Sequence, residues 1–154
     1  MKAVKSHKKT IAIKRILTPV DLSPLSEKAL NYATILAKAL EAELIVLHIL
    51  PMDELFRAQS AAEIGSQIQD ASRRIEALLT KEIREAITTD TVVIHGNTPA
   101  EEIIREAQER KIDMIVMGTH GRTGLKHLLM GSVAEAVVRT APCPVTCVRD
   151  DGVA

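Results

Sequence analysis

The sequence predicts an α/β domain built on a doubly wound, five-stranded parallel sheet in the order 3-2-1-4-5, with helices on both faces. Short apolar runs alternate along the chain with amphipathic segments, which is the pattern of repeated β-α units. Residues 44–50 are apolar at nearly every position, as in a strand that is covered on both faces. The length of 154 residues indicates one domain.

The first strand is predicted at residues 16–20, and a helix start follows it. Ser23 supplies an N-cap hydroxyl and Pro24 occupies the first helical position. Apolar residues then recur at helical spacing as far as Leu40, where the helix is predicted to end. Glu41 stands where a glycine C-cap is usual.

The middle of the chain predicts a second strand, a long helical segment and a third strand. Residues 44–50 form the second strand, and residues 51–60 are a connection. One apolar stripe at helical spacing runs from Ala61 to Ala86, which favours a helix lying on its own sheet. Residues 91–95 form the third strand.

Two capping boxes are predicted in the second half of the chain. Residues 98–101 open one helix, with Thr98 as the cap, and residues 113–117 form the fourth strand. Residues 132–135 open the last helix, with the Ser132 hydroxyl bonded to the amide of Glu135. That helix is predicted to end near residue 140.

The fifth strand, Val145–Val148, is confined to a sheet edge by the prolines before it. Cys143 and Cys147 are four residues apart, so their side chains would share one face of a strand about 13 Å apart. That distance suits neither a disulfide nor a shared metal site. We expect both cysteines to act as small hydrophobic residues in the core.

Charge is balanced overall but uneven along the chain. Lys plus Arg and Asp plus Glu number 20 each, which gives no bias towards nucleic acid or membranes. Residues 1–15 hold six basic residues and no acidic one. We predict a basic, partly disordered N-terminal arm over residues 1–13 and a folded domain over residues 14–150. Contact of the arm with nucleic acid or anionic lipid is the alternative.

The composition argues against export and against base stacking. The apolar stretch in the arm is too short for a signal peptide, and no apolar run approaches the roughly 20 residues of a membrane span. We therefore expect a soluble, cytoplasmic protein. The chain has one Tyr, one Phe and no Trp, whereas proteins that stack single-stranded bases need several aromatic residues. Nucleic acid is not an expected partner.

The loop over residues 118–132 has the composition of a phosphate site. It joins the fourth strand to the last helix and holds four of the seven glycines. Arg122, Lys126, His120 and His127 lie in it, and no carboxylate does. Glycines let backbone N–H groups approach an anion, and the helix start adds unpaired N–H groups and a positive dipole end.

Asp21 is predicted to face this loop across one crevice. Ligands of open parallel sheets bind beyond the carboxyl ends of the strands, where the strand order reverses. Asp21 follows strand one and Gly118 follows strand four, so both would lie at that point. Asp21 would accept hydrogen bonds from a ribose hydroxyl or a base amine; an Asx turn before the helix is an equal alternative.

The loop differs from two common phosphate motifs. A P-loop needs Gly-Lys-Ser/Thr, and the lysine is missing before Ser132. The glycines at positions 118, 121 and 131 are too widely spaced for a dinucleotide fingerprint. The Ser132 hydroxyl has two compatible roles, as N-cap or as a phosphate contact.

The spacing Gly-x2-Gly-x9-Gly-Ser, from Gly118 to Ser132, resembles the ATP-binding signature of the universal stress protein family. Three other segments resemble that family: residues 16–23 its first strand and aspartate, residues 46–49 its second strand, and residues 142–145 its closing strand. The resemblance covers roughly residues 11–149. Glu41, without the helix-ending glycine, and the basic arm depart from the pattern.

The resemblance implies a regulatory or stress-response protein that binds ATP, or ADP or AMP, with Mg²⁺ or Mn²⁺ on the phosphates. Pro19, Val20, Asp21 and Ile49 would surround the adenosine. The remaining predicted binding residues are Met117, Gly118, Thr119, His120, Gly121, Arg122, Thr123, Gly124, Gly131, Ser132 and Val133. Family members dimerise through the fifth strand, here residues 144–148, from Pro144 to Val148. No metal ligand is assigned to the protein itself.

Two alternatives use the same pocket differently. A slow ATPase or nucleotide hydrolase would need a residue that orients water, and no convincing base is present, so at most weak hydrolysis is expected. His120 and His127 are interpreted as loop surface or weak phosphate contacts, and His48 as a packed residue. A nucleotide-free interaction module is the other alternative, and the intact glycine loop argues against it.

Overall fold

The structure is a computed structural model that describes residues 12–121 and 130–150. Its strands are β1 (Arg15–Pro19), β2 (Glu43–Pro51), β3 (Thr89–Gly96), β4 (Met114–Gly118) and β5 (Val145–Val148). Its helices are α1 (Pro24–Leu40), α2 (Glu54–Arg57), α3 (Ala61–Leu78), α4 (Lys81–Ala86), α5 (Pro99–Glu109) and α6 (Ser132–Thr140).

The sheet is parallel throughout and has the order β3-β2-β1-β4-β5, which confirms the predicted fold. β1 pairs with β2 on one side and with β4 on the other. The strand order therefore reverses at β1, and the carboxyl ends of β1 and β4 lie side by side. β3 begins at Thr89, two residues earlier than the apolar run alone predicts.

Helices cover both faces of the sheet, as predicted. On one face, Ile16, Val46 and Val116 of the sheet pack with Leu30 of α1 and Ile75 of α3. The other face is covered by α5 and α6, whose buried contacts with the sheet include these residues: Leu17, Ile45, Ile115, Ile103, Ala107 and Val137. Burial of each such large aliphatic side chain stabilises the fold by about 1.5–3 kcal/mol.

Helix α1 has the predicted ends. The Ser26 amide donates to the Ser23 hydroxyl at 3.3 Å, and Pro24 occupies the first turn. The helix ends at Leu40, and Glu41 adopts the left-handed conformation with φ 52°. Glu41 thus holds a backbone conformation that glycine adopts with less strain.

The apolar stripe between residues 61 and 86 forms two helices rather than one continuous helix. α3 ends at Leu78, and the Thr80 hydroxyl accepts a hydrogen bond from the Ile83 amide at 3.4 Å to open α4. A threonine side chain that caps a new helix competes with continuation of the old one. The sequence interpretation also missed α2 and a capping box between Ser60 and Glu63.

Both predicted capping boxes are wrong. Thr98 precedes α5 but its side chain makes no capping hydrogen bond, since its ψ of 94° departs from the values near 155° at Ser23 and Ser60. The N-cap of α6 is Gly131, whose carbonyl accepts from the Glu135 amide at 2.9 Å. Ser132 is already helical, so its hydroxyl is not the cap.

One of the two cysteines, Cys143, lies outside the strand in which both were predicted. Cys147 lies in β5, but Cys143 lies just before that strand. Both thiols are free and half-buried, and both pack against the core layer beneath α6. Burial raises the pKa of each thiol, and the charge of Asp113 raises that of Cys143 further.

The predicted basic arm falls almost entirely on residues 1–11, which lie outside the described residues, so it stays a prediction. The backbone at the start of β1 is held by a side chain: the Lys14 and Arg15 amides donate to one carboxylate oxygen of Asp113 at 2.8 and 3.0 Å. None of the helices described, over residues 12–121 and 130–150, is long and apolar enough to cross a membrane.

Candidate functional site

A cavity of about 350 Å³ opens at the carboxyl edge of the sheet, where β1 and β4 end side by side. Its walls come from β1, β2 and β4, from the residues after β1 and β4, and from the first turns of α1, α5 and α6. This is the crevice predicted from the reversal of strand order.

Every predicted binding residue that the structure describes lines this cavity: Pro19, Val20, Asp21, Ile49, Met117, Gly118, Thr119, His120, Gly121, Gly131, Ser132 and Val133. These residues come from four stretches of the chain that the fold brings to one place. Arg122, Thr123 and Gly124 lie outside the described residues, as do Lys126 and His127, so their roles stay predictions.

Five lining residues were missed by the sequence interpretation: Ser26, Leu47, Pro99, Ile103 and Ala134. The period of a strand would have found Leu47, because residues two apart share a face and Ile49 was already chosen. Pro99 and Ile103 lie on the first turns of α5, four residues apart on one helix face. Only the tertiary structure shows that this helix closes the cavity.

Asp21 holds one carboxylate oxygen in its own turn and directs the other at the loop. Oδ1 accepts a hydrogen bond from the Ser23 amide at 3.0 Å, which is an Asx turn. Oδ2 lies only 2.7 Å from the position that a Cβ on Gly121 would occupy. The Asx turn is therefore confirmed, and the hydrogen bond from a ribose hydroxyl or a base amine to Asp21 stays a prediction. Leu22 follows with a left-handed φ of 65°.

The two ends of the glycine loop are joined by a backbone hydrogen bond. The Gly131 amide donates to the Thr119 carbonyl at 2.7 Å, and the Thr119 amide donates to the Val148 carbonyl of β5 at 2.9 Å. A Cβ on Gly131 would lie 3.1 Å from that same Thr119 oxygen. Gly131 therefore allows a close approach of the two backbone segments, and this approach also sets where α6 begins.

His48 is packed, as the sequence interpretation expected. The residue is 4% exposed, and its Nδ1 lies 2.6 Å from the Val20 carbonyl oxygen. The Val20 amide donates to the Leu47 carbonyl at 2.8 Å. Both contacts hold the backbone of the cavity wall at the end of β1.

The cavity has both polar and apolar lining residues. Leu47, Ile103 and Met117 form apolar wall, while Asp21 supplies a carboxylate. The first turn of α6 adds the positive end of its helix dipole and suits an anion. Across the described part of the chain, no group of three or more His, Cys, Asp or Glu residues is arranged to hold a metal ion.

Comparisons with known proteins give one family. The model of the universal stress protein family matches residues 12–149. Universal stress protein MJ0531 of Methanocaldococcus jannaschii is 33% identical over 143 residues, which cover 88% of this chain and 82% of that protein. The solved structure of MJ0577, from the same organism, is 30% identical with a TM-score of 0.76 and covers 92% of this chain and 99% of its own.

A universal stress protein solved in complex with cAMP is also similar. It is 25% identical, has a TM-score of 0.62, and the match covers 90% of this chain and 98% of that one. The family model spans most of this sequence, and the relatives match along nearly their whole length. The chain therefore belongs to the universal stress protein family.

Proposed function

We propose that this protein binds an adenine nucleotide, ATP in the first place, and uses its occupancy to regulate a stress-response interaction. One observation carries the proposal: a carboxylate and residues of a glycine-rich loop, from distant parts of the chain, meet in the wall of one cavity. A family member that binds cAMP supports the adenine nucleotide as the ligand class.

In the proposed complex, each part of the nucleotide contacts lining residues of matching polarity. The base lies against the apolar wall, where Leu47, Ile49 and Ile103 exclude water. The ribose hydroxyls donate to Asp21. The phosphates lie by Gly121, Gly131 and the first turn of α6, where small residues and backbone N–H groups accept an anion.

The proposed complex includes a divalent ion, Mg²⁺ or Mn²⁺, bound to the phosphates of the nucleotide. Mg²⁺ keeps several waters and is commonly held by substrate phosphates with one or two protein ligands. When bound, the ion would neutralise phosphate charge. Oδ2 of Asp21 lies beside Gly121, at the edge of the loop proposed to hold the phosphates.

We also propose a homodimer through residues 144–148. β5 is an edge strand of the sheet, and its Val148 carbonyl is bonded to Thr119 of the cavity wall. A conformational change in the glycine loop would therefore alter the position of the edge strand through this hydrogen bond. Light scattering of the purified protein, with and without ATP and Mg²⁺, measures whether the dimer forms and whether it depends on nucleotide.

The decisive experiment is nucleotide release. Protein purified without added nucleotide is denatured, and the supernatant is analysed by chromatography and mass spectrometry; we expect an adenine nucleotide. Calorimetry of stripped protein with ATP and Mg²⁺ should give one site per chain. The proposal would be contradicted if the denatured protein released no nucleotide and the stripped protein bound none. The same titration with GTP tests the base, and we expect much weaker binding.

A further inference from the structure

Thr119 and His120 make a side-chain hydrogen bond at the cavity wall. The Thr119 hydroxyl oxygen lies 3.0 Å from Nδ1 of His120, and Thr119 is only 2% exposed. The backbone of Thr119 is held separately, because its amide donates to Val148 and its carbonyl accepts from Gly131. These two hydrogen bonds hold the loop backbone without the Thr119 hydroxyl.

The direction of this hydrogen bond follows from the burial of the hydroxyl. A neutral histidine has one protonated and one unprotonated ring nitrogen. If Nδ1 carried the proton, it would donate to the hydroxyl oxygen, and the hydroxyl proton would then need another acceptor. Among the residues that the structure describes, His120 is the partner of this hydroxyl. A buried donor without an acceptor is costly, and this cost favours a hydroxyl that donates and an Nδ1 that accepts.

We propose that Thr119 is a positioning residue that holds neutral His120 as the tautomer protonated at Nε2, so that the ring offers a hydrogen-bond donor to an oxygen of the bound nucleotide. His120 lines the cavity, and nucleotide phosphates and ribose present oxygen acceptors. The opposite tautomer would set an Nε2 lone pair against such an oxygen. The ligand part of this inference rests on the proposed function, whereas the tautomer does not.

NMR of nucleotide-free protein tests the tautomer directly. Long-range ¹H–¹⁵N spectra of the ¹⁵N-labelled protein report which ring nitrogen is protonated, and the loss of signals in His120→Gln assigns them. We expect a protonated Nε2 and an unprotonated Nδ1. Thr119→Val should give a mixture of tautomers, and Thr119→Ser should restore the wild-type pattern.

Thr18→Val is the matched control. Thr18 is fully buried in β1, and its hydroxyl has no hydrogen-bond partner among the described residues. The substitution removes a buried threonine hydroxyl, as Thr119→Val does, and leaves the Thr119–His120 pair in place. We expect the His120 spectrum and the affinity for nucleotide to stay as in the wild type.

Calorimetry with ATP and Mg²⁺ tests the role of the donor. An even mixture of tautomers leaves half of the Thr119→Val molecules with a donor at Nε2, which predicts a dissociation constant about twofold higher. Thr119→Ser and His120→Gln, which keeps a donor near Nε2, should bind as tightly as the wild type, whereas His120→Ala, which has no donor, should bind about fivefold more weakly. An Nδ1-protonated ring in the wild type, or equal affinities of Thr119→Val and Thr18→Val, would overturn the inference.

The test does not depend on one variant. If Thr119→Val fails to fold, the wild-type spectrum decides the tautomer, and His120→Ala against His120→Gln decides the donor: equal weakening by both would overturn it. A wild-type protein that binds no nucleotide would contradict the proposed function, and the spectrum would still decide the tautomer.

Discussion

Oδ2 of Asp21 lies 2.7 Å from the point where a Cβ of Gly121 would stand. The two residues are 100 positions apart in the sequence. One belongs to the turn after β1, and the other to the loop after β4. Their contact joins the two sides of the cavity, and it explains why a glycine is needed at this point of the loop.

Gly121→Ala should weaken nucleotide binding through this contact. The backbone of Gly121 is not in the left-handed region, so the new methyl group acts by displacing the carboxylate rather than by straining the chain. We expect an affinity about tenfold lower, equivalent to about 1.4 kcal/mol. Calorimetry in a double-mutant cycle with Asp21→Ala checks the cause, since Gly121→Ala should cost little once the carboxylate is gone. Full additivity of the two changes would contradict the steric explanation.

Substitution of Gly131 should separate stability from binding. An alanine Cβ would stand 3.1 Å from the Thr119 carbonyl, a backbone atom that cannot rotate away. We expect Gly131→Ala to lower the free energy of unfolding by about 1 kcal/mol, measured by urea denaturation. Gly131→Val should fold but lose nucleotide binding, because its branched side chain would displace Thr119 and His120 from the part of the cavity wall where the phosphates are proposed. Wild-type affinity in folded Gly131→Val would show that the phosphates lie elsewhere.

Glu41→Gly should stabilise the protein. Glu41 ends α1 with a left-handed φ of 52°, which costs a residue with a Cβ about 1–2 kcal/mol more than glycine. Some of that gain is lost to the greater freedom of glycine in the unfolded chain. We expect about 1 kcal/mol, or a rise in Tm of roughly 2–4 °C by calorimetry.

Gly65→Ala is the opposite exchange and serves as its control. Gly65 lies inside α3, and an added Cβ would meet nothing within 4 Å. Alanine is favoured over glycine inside a helix by roughly 0.5–1 kcal/mol, so this change should also stabilise. A fall in Tm for Glu41→Gly beside a rise for Gly65→Ala would mean that the left-handed residue carries no strain.

The cysteines should make the folded state sensitive to alkaline pH. Burial raises the pKa of Cys143 and Cys147 above the ordinary value of 9.0. The folded state then keeps its thiol protons where the unfolded state has lost them. The resulting penalty is absent below the unfolded pKa and grows as pH rises towards the folded pKa. Urea midpoints between pH 8 and 11 should fall more steeply for the wild type than for the Cys143→Ala/Cys147→Ala variant, and iodoacetamide should react faster in urea than in buffer.

Local signals account for the parts of the fold that could be predicted. Ser23-Pro24 opens α1 because a capping hydroxyl and a proline with a preset φ act within one turn. The apolar run around Val46 marks a strand covered on both sides, since no polar face is left for water. Thr80 shows the limit of such signals: one stripe of apolar residues does not reveal that a side-chain cap divides it into α3 and α4.

The candidate site also has features that follow from local sequence and features that depend on the tertiary structure. The sequence by itself determined the alternation of strands and helices, the glycine loop and the carboxylate. Periodicity, glycine spacing and residue type are properties of short stretches of chain, so they can be recognised without the fold. Only the tertiary structure decided that Gly131 rather than Ser132 caps α6, through the Thr119 carbonyl, and that Ile103 of α5 closes the cavity. The contact of Asp21 with Gly121 is of the second kind, since it exists only when β1 and β4 pair and bring their ends within reach.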